Sequence, residues 1–351
     1  VVVLPRRGAP PLVLAGVAAL LLTACTSGAE PEAAAPTGPD GCTVSAGTAA
    51  GAQLALDEAQ GGSTVCVTAD LLDADLRLER SGTEDAPIRL LGDGATVRSL
   101  TVEDEEHVVV EGFVVVDGDG IVLSGRSLVV RGNEVRGAEL DGISCERPCA
   151  DVTVEGNTVE GTDGSGILVE GERITVEGNT VSGSVRRESG DADGIRFFGT
   201  GIRILGNTVQ DIKDDGYADP PHTDCFQTYD NSRPPTVGAL IAGNVCRNVD
   251  HQCLIATAEE AGTAGEVGRS RDIEFTGNVC DVEGSQAVLV QWIPGVVVRG
   301  NTLTGPALDR GAIFLDGSTG AEFSDNEVPA GLVPYQLDEE SEDGFSTDEP
   351  G

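Results

Sequence analysis

Apolar positions along the middle of this chain fall in short bursts of alternate residues. Two patterns take turns. The first is apolar-x-Gly-Asn-x-Val, which recurs as VRGNEV, VEGNTV, VEGNTV and ILGNTV and continues as IAGNVC, FTGNVC, VRGNTL and FSDNEV. Its Asn residues are Asn133, Asn157, Asn179, Asn207, Asn244, Asn278, Asn301 and Asn326. The second pattern is DGIVL at Asp119, DGISC at Asp141, SGILV at Ser165 and DGIRF at Asp193. It then drifts into DCFQT at Asp224, QCLIA at Gln252, QAVLV at Gln286 and GAIFL at Gly311. Period-2 alternation over a few residues, broken by Gly and Asn, predicts short strands joined by tight turns, with no room for a helix. Strand repeats this short cannot bury a face alone and must stack.

The stacked repeat resembles the right-handed parallel β-helix of the pectate-lyase-like superfamily, with the Gly-Asn turns similar to its asparagine ladder. The resemblance implies an all-β solenoid of about ten coils over residues 85–336. An N-terminal cap and the first coils fill residues 41–84, with Leu54 to Ala59 as a helical turn. It implies no single activity, because one fold hosts many chemistries. Asn suits such a turn because it tolerates left-handed backbone and its amide can reach the Asn one coil away. The turn Asn residues are therefore assigned to structure.

Composition narrows the function classes. Lys and Arg total 22 against 59 Asp and Glu, a net charge of −37, which repels phosphate backbones and excludes nucleic acid as a partner. Residues 1–25 read as a secretory leader: Arg6 and Arg7 precede a short apolar core, Leu12 to Leu22, too short to span a bilayer. Leu22-Thr23-Ala24-Cys25 resembles the lipobox of bacterial lipoproteins, which implies that Cys25 carries a lipid and holds the exported protein on the outer face of the cell membrane. Residues 26–40 then form a flexible tether, and the acidic residues 337–351 a solvated, disordered tail.

Eight Cys remain after Cys25, an even number that favours disulfides in an exported chain. Cys42 with Cys66 would staple the cap, and Cys145 with Cys149 would close the loop SCERPC. Cys225 and Cys253 hold the same place in consecutive coils, as do Cys246 and Cys280. With coils ~4.8 Å apart, register pairs Cys225 with Cys253 and Cys246 with Cys280.

The coils swell in one zone. The connection from the first strand type to the second is 5 residues in most coils, but 11 for residues 182–192 and 14 for residues 210–223. Beyond the second strand type, residues 227–243 and 255–277 lengthen the run to 17 and 23. Loops rising on both sides of one strand column predict a cleft between about Asp193 and Ala256. Asp193, Asp224, His222 and His251 gather there, and alternation places Arg196 and Gln227 outward, one above the other. These six are the candidate catalytic residues.

Two chemistries fit such a patch. Hydrolysis of a polysaccharide needs one carboxylic acid and one carboxylate, and Asp193 and Asp224 lie one coil apart. The order DADG, TDC, DHQC resembles the polygalacturonase family, which implies catalytic places for Asp193, Asp224 and His251. Thr223 stands where that family has another Asp, and its downstream Arg-Ile-Lys is absent. A uronate lyase instead needs a cation and a base. Asp191, Asp193 and Asp224 are the candidate Ca²⁺ ligands, with Arg196 or Lys213 as base. Tyr217 to His222 also resembles the Tyr/Asp-Pro-His site of alginate C5-epimerases, off by one in spacing. The expected partner is a polysaccharide or cell-surface glycan, to be cleaved or, in the alternative, only bound. Asp119 and Asp141 share the place of Asp193 outside the swollen zone, which argues for a turn acid. Trp292 is either a sugar platform or the cover of a turn.

Overall fold

The computed structural model describes residues 41–187 and 190–348. The leader, the lipidation candidate Cys25 and the tether lie outside them. No helix among the described residues is long and apolar enough to cross a membrane.

The chain winds into a right-handed parallel β-helix with three strand columns. The first column follows each turn Asn (Thr158–Glu160, Thr180–Ser182, Thr208–Ile212, Val245–Val249). The second carries the Gly-Ile type strands (Ser165–Glu172, Asp193–Thr200, Phe226–Thr228, Leu254–Thr257). The third precedes each Asn (Thr175–Glu177, Arg203–Leu205, Leu240–Ala242, Glu274–Thr276). Pairing is parallel and in register, so Val154, Val176, Ile204, Ile241, Phe275 and Val298 stack in one line. They belong to a single core that runs from Ala46 to Phe323. The solenoid has about 13 turns, more than the ten expected, because coils continue into both the cap and the acidic C-terminal segment.

The turn Asn residues form the expected ladder. Asn179 Oδ1 accepts from the backbone N–H and the side-chain amide of Asn157, both at 2.9 Å. Its own amide donates to Val154 O and to Asn207 Oδ1, also at 2.9 Å. The same pattern repeats to Asn326. The left-handed residue of the turn is not the Asn but the one before it: φ is +62° at Gly156 and +63° at Gly178, and Asp325 takes this role at +54°. Gly is placed there because an L side chain is strained at such φ.

Thr48 caps the helix Ala49–Asp57, accepting from Gly51 N at 3.1 Å, and Ala52, Ala55 and Leu56 close the open end of the stack. The helix starts earlier than the sequence suggested, and Leu54 points to solvent. The Cys42–Cys66 and Cys145–Cys149 disulfides are present.

The other two are exchanged. Cys225 bonds Cys246 and Cys253 bonds Cys280, with Cα separations of 6.0 and 5.8 Å, so the pairings Cys225–Cys253 and Cys246–Cys280 are incorrect. The register behind them is correct, since Cys246 does lie opposite Cys280. In-register stacking aims equivalent side chains in parallel, whereas inward side chains on different columns of one coil face each other across the interior. All four Cys are buried there.

Residues 337–348 are not a disordered tail. Val333–Leu337 and Ser346–Thr347 pair with the rung before. Phe345 packs on Tyr335, with ring centroids 4.8 Å apart, and Asp338 accepts from Asp316 N at 2.8 Å. Two aromatic rings supply the burial that the acidic composition concealed.

Candidate functional site

The corner between the first and second columns carries a second ladder, built of carboxylates. Asp141 Oδ1 accepts from Ser165 N at 2.7 Å, Asp193 Oδ1 from Asp224 N at 2.9 Å, and Asp224 Oδ1 from Gln252 N at 2.8 Å. Each of these acids thus commits one oxygen to holding the next rung. What distinguishes the rungs is the fate of the other oxygen.

At Asp193 the second oxygen is clamped by Arg196, with Nε at 2.7 Å and Nη2 at 2.5 Å. Burial works against the charge of Arg196, and Asp193 outweighs it, so the guanidinium stays ionised. At Asp224 the second oxygen has no partner and is wholly buried. Burial first, then the charge of Asp193, pushes the Asp224 carboxyl well above its ordinary range. Burial raises Asp193 as well, but Arg196 opposes it there. Asp224 therefore holds the proton of the pair.

The insertions do not frame an open cleft over these two acids. They stack on each other and cover them. Ala192 N donates to His222 O at 2.9 Å, His222 N to Asp191 Oδ1 at 3.2 Å, and Arg186 N to Tyr217 Oη at 3.0 Å. On the other side, Asp230 accepts from Glu260 N at 3.0 Å and from Ala261 N at 2.8 Å. Long loops fall in successive coils because each satisfies the other's backbone. Asp193 and Asp224 are consequently sealed from solvent, and Thr223 Oγ1 and Gln227 Oε1 are buried beside them without partners.

The remaining sequence candidates sort accordingly. Arg196 and Gln227 do stack outward, as register required. His222 and His251 meet with ring centroids 5.0 Å apart, and His251 Nε2 lies 3.3 Å from Asp214 Oδ2. Lys213 is held by Asp250 at 2.7 Å and Glu283 at 3.0 Å, which keep its ammonium charged against the cost of burial and unfit as a base. Arg196, locked on Asp193, is no base either. Tyr217 braces the neighbouring loop, and Trp292 covers Gly262, where an added Cβ would lie 2.2 Å from the indole.

The expected Ca²⁺ ligands Asp191, Asp193 and Asp224 do not make a cage. Arg196 already stands where a cation would neutralise Asp193. Among the described residues no group of three or more His, Cys, Asp or Glu side chains is arranged to hold a metal.

The open cleft lies at the lower end of the carboxylate ladder. It has a volume of about 720 Å³, and Asp119, Asp141, Asp163, Glu139, Leu140, Arg187 and Arg196 line it. Burial raises the Asp141 carboxyl above its ordinary range, with the Ser165 N–H opposing. Arg187, from the first insertion, walls the cleft: its N–H donates to Asp163 Oδ1 at 2.7 Å, and its guanidinium to Ala138 O at 2.9 Å and Gly161 O at 2.8 Å. Two other surface depressions match it in volume, 620 Å³ under Pro148 and Pro235 and 730 Å³ beside Cys42–Cys66. Sequence reasoning set Asp119 and Asp141 aside because Asp recurs at the start of the Gly-Ile strands, a sign of a turn acid, and it did not weigh Asp163. The available signal was Arg187 in the first insertion, which reaches back over the earlier coils.

The chain matches a family described as "Right handed beta helix region" over residues 79–210. A search of curated proteins finds no match. Among solved structures it is similar to an alginate lyase from a Paenibacillus species, at 16% identity over 85% of this chain and 99% of that one, with a TM-score of 0.46. It is also similar to the catalytic unit of a GH87 α-1,3-glucanase from Streptomyces thermodiastaticus (16% identity, 91% and 72% covered, TM-score 0.47). The Streptococcus pneumoniae surface protein and adhesin PfbA is a further one (12% identity, 85% and 94% covered, TM-score 0.46).

Proposed function

We propose that this protein hydrolyses a polysaccharide in the cleft beside Arg196, with Asp141 as the proton donor and Asp119 as the partner carboxylate. The observation that carries the reading is two carboxyl groups in one open cleft on successive coils, one of them raised by burial. That one is Asp141, and Asp119 lines the same cleft one coil before it. Glycosidic cleavage uses two carboxyl groups, one to protonate the leaving oxygen and one to act at the anomeric carbon.

In this reading the free oxygen of Asp141 delivers its proton to the glycosidic oxygen as the C–O bond breaks. Asp119 then bonds the anomeric carbon, and Asp141 takes a proton from the water that later releases the sugar. Rungs lie ~4.8 Å apart, near the about 5–5.5 Å between carboxyls of retaining enzymes and short of the about 6.5–9.5 Å of inverting ones. Retention of configuration is expected. The charge of Arg196 limits how far burial raises Asp141, and the exposed Leu140 offers an apolar face to a sugar ring.

The test is incubation with a panel of polysaccharides, reading new reducing ends and the absorbance of unsaturated uronates. Reducing ends without unsaturation, lost by several orders of magnitude in Asp141→Asn, support the proposal. Unsaturated products, or full activity in Asp141→Asn, overturn it. A second reading, glycan binding without turnover, is favoured by one fact: Asp141 Oδ1 already serves the ladder through Ser165 N. Binding with no product selects it. In either case we place the protein outside the cell, lipid-anchored through Cys25.

A further inference from the structure

We infer that His222 and His251 form a binding site for one divalent transition metal of the zinc and copper class, which staples the cover over the Asp193–Asp224 pair. The inference is separate from the hydrolytic reading and stands or falls without it. Two observations carry it.

The first is the placement of the rings. His222 belongs to the insertion of residues 210–223, and His251 stands at the same corner one coil on, just before Gln252. Their ring centroids lie 5.0 Å apart, with the planes inclined at 45°. Two imidazoles on one tetrahedral metal, with metal–nitrogen bonds of about 2.0–2.1 Å, place their ring centres about 5.2 Å apart. The backbone that sets this spacing is tied on both sides. His222 N donates to Asp191 Oδ1 at 3.2 Å, and its carbonyl accepts from Ala192 N at 2.9 Å. His251 N donates to Thr223 O at 3.2 Å.

The second is the state of the ring nitrogens. His251 Nε2 lies 3.3 Å from Asp214 Oδ2, and Asp214 is itself fixed by its N–H on Asp250 Oδ2 at 2.8 Å. A carboxylate on one ring nitrogen sets the tautomer and presents the other nitrogen as a lone pair, the usual outer support of a metal-bound histidine. Among the described residues no hydrogen bond occupies either ring nitrogen of His222. His222 is exposed and the His251 side chain is 29% exposed, so an ion can reach both.

Imidazole ligands suit Zn²⁺, Cu²⁺ and Ni²⁺, whereas Ca²⁺ takes about six to eight oxygens. Two protein ligands leave the other positions to water, so the site needs no third His, Cys, Asp or Glu side chain, and none is arranged to join it among the described residues. An ion between the two rings ties the insertion to the coil above it.

The test uses the full chain, free of any affinity tag and stripped with chelator, titrated with Zn²⁺ alone by calorimetry at about 0.15 M ionic strength. One equivalent should bind. His222→Ala and His251→Ala should each weaken binding at least about tenfold, and Asp214→Asn about tenfold. His107→Ala, in the strand Thr96–Glu111, removes the third histidine of the chain and should leave binding unchanged. Bound Zn²⁺ should also slow hydrogen exchange at the Ala192 and His222 amides in the wild type and not in His251→Ala. Absence of binding overturns the inference. So does binding that survives both histidine variants or is displaced by Ca²⁺, which marks diffuse attraction to a chain of charge −37. Binding that leaves those two amides exchanging as before overturns the staple.

Discussion

Replacing Asp224 by Asn should stabilise the protein at pH 7, against the usual sign for a change at a fully buried, hydrogen-bonded position. Asn keeps the acceptor that Gln252 N–H needs and puts an amide N–H₂ in place of the carboxylic O–H. It is nearly isosteric with the protonated acid. What it removes is the requirement to hold a proton. A carboxyl raised in the folded state binds its proton more tightly there than in the unfolded chain, where the value is about 3.9. It favours folding below that value and costs stability as pH rises toward the folded value. While the carboxyl keeps its proton, the cost grows by about 1.4 kcal/mol per pH unit. Each pH unit over which it does so is a sizeable part of the 5–15 kcal/mol typical of a folded domain. Urea unfolding at pH 5, 6 and 7 should therefore show the wild type losing ground to Asp224→Asn, with curves that converge toward pH 4. Asp193→Asn should do the opposite. It leaves Arg196, 11% exposed, with only the more distant Asp191, at 3.9 Å, as counter-charge, at a cost of about 3 kcal/mol. Parallel pH profiles for wild type and Asp224→Asn, or a less stable Asn variant at pH 7, would refute the assignment of the proton to Asp224.

Three more expectations can be checked directly. Non-reducing peptide mapping should recover Cys225 with Cys246 and Cys253 with Cys280, and links between adjacent coils would reject the cross-interior geometry. Asn179→Ala strands Val154 O and the Asn157 N–H in the interior, so it should cost about 3–5 kcal/mol by urea denaturation; a loss below about 1 kcal/mol would make the ladder decoration. Cys25→Ser should move the protein out of the membrane fraction, and retention there would refute the lipid anchor.

The fold was legible because its information is local and repeated. Eight turns with the same Asn give register, and register alone places Arg196 beside Gln227 and Cys246 opposite Cys280. What register cannot give is direction across the interior. The two wrong disulfides and the wrong cleft share that cause. Cys225 and Cys253 are neighbours along the axis, yet their sulfurs face Cys246 and Cys280 on another column. Insertion lengths likewise reveal where a coil swells but not which way the loop folds, and here 182–187, 190–192 and 210–223 lie down on the acids that the insertions were expected to flank.

Recurrence of Asp at this corner does not by itself decide between structure and chemistry. In an asparagine ladder both ends of the amide are consumed: Asn179 accepts through Oδ1 and donates through Nδ2, and nothing remains for chemistry. A carboxylate in the same kind of stack needs only one oxygen to hold the next backbone N–H. The other is released to whatever the local coil supplies. At Asp193 it is a guanidinium, at Asp224 a proton in a sealed interior, and at Asp141 an open cleft walled by Arg187. Structural repetition and chemical function are therefore not alternatives at this corner. The ladder fixes each carboxyl in position to within one hydrogen bond, and the neighbours decide its protonation. A carboxyl held this way requires no residue that breaks the repeat, which is why Asp141 reads as an ordinary turn acid in the sequence.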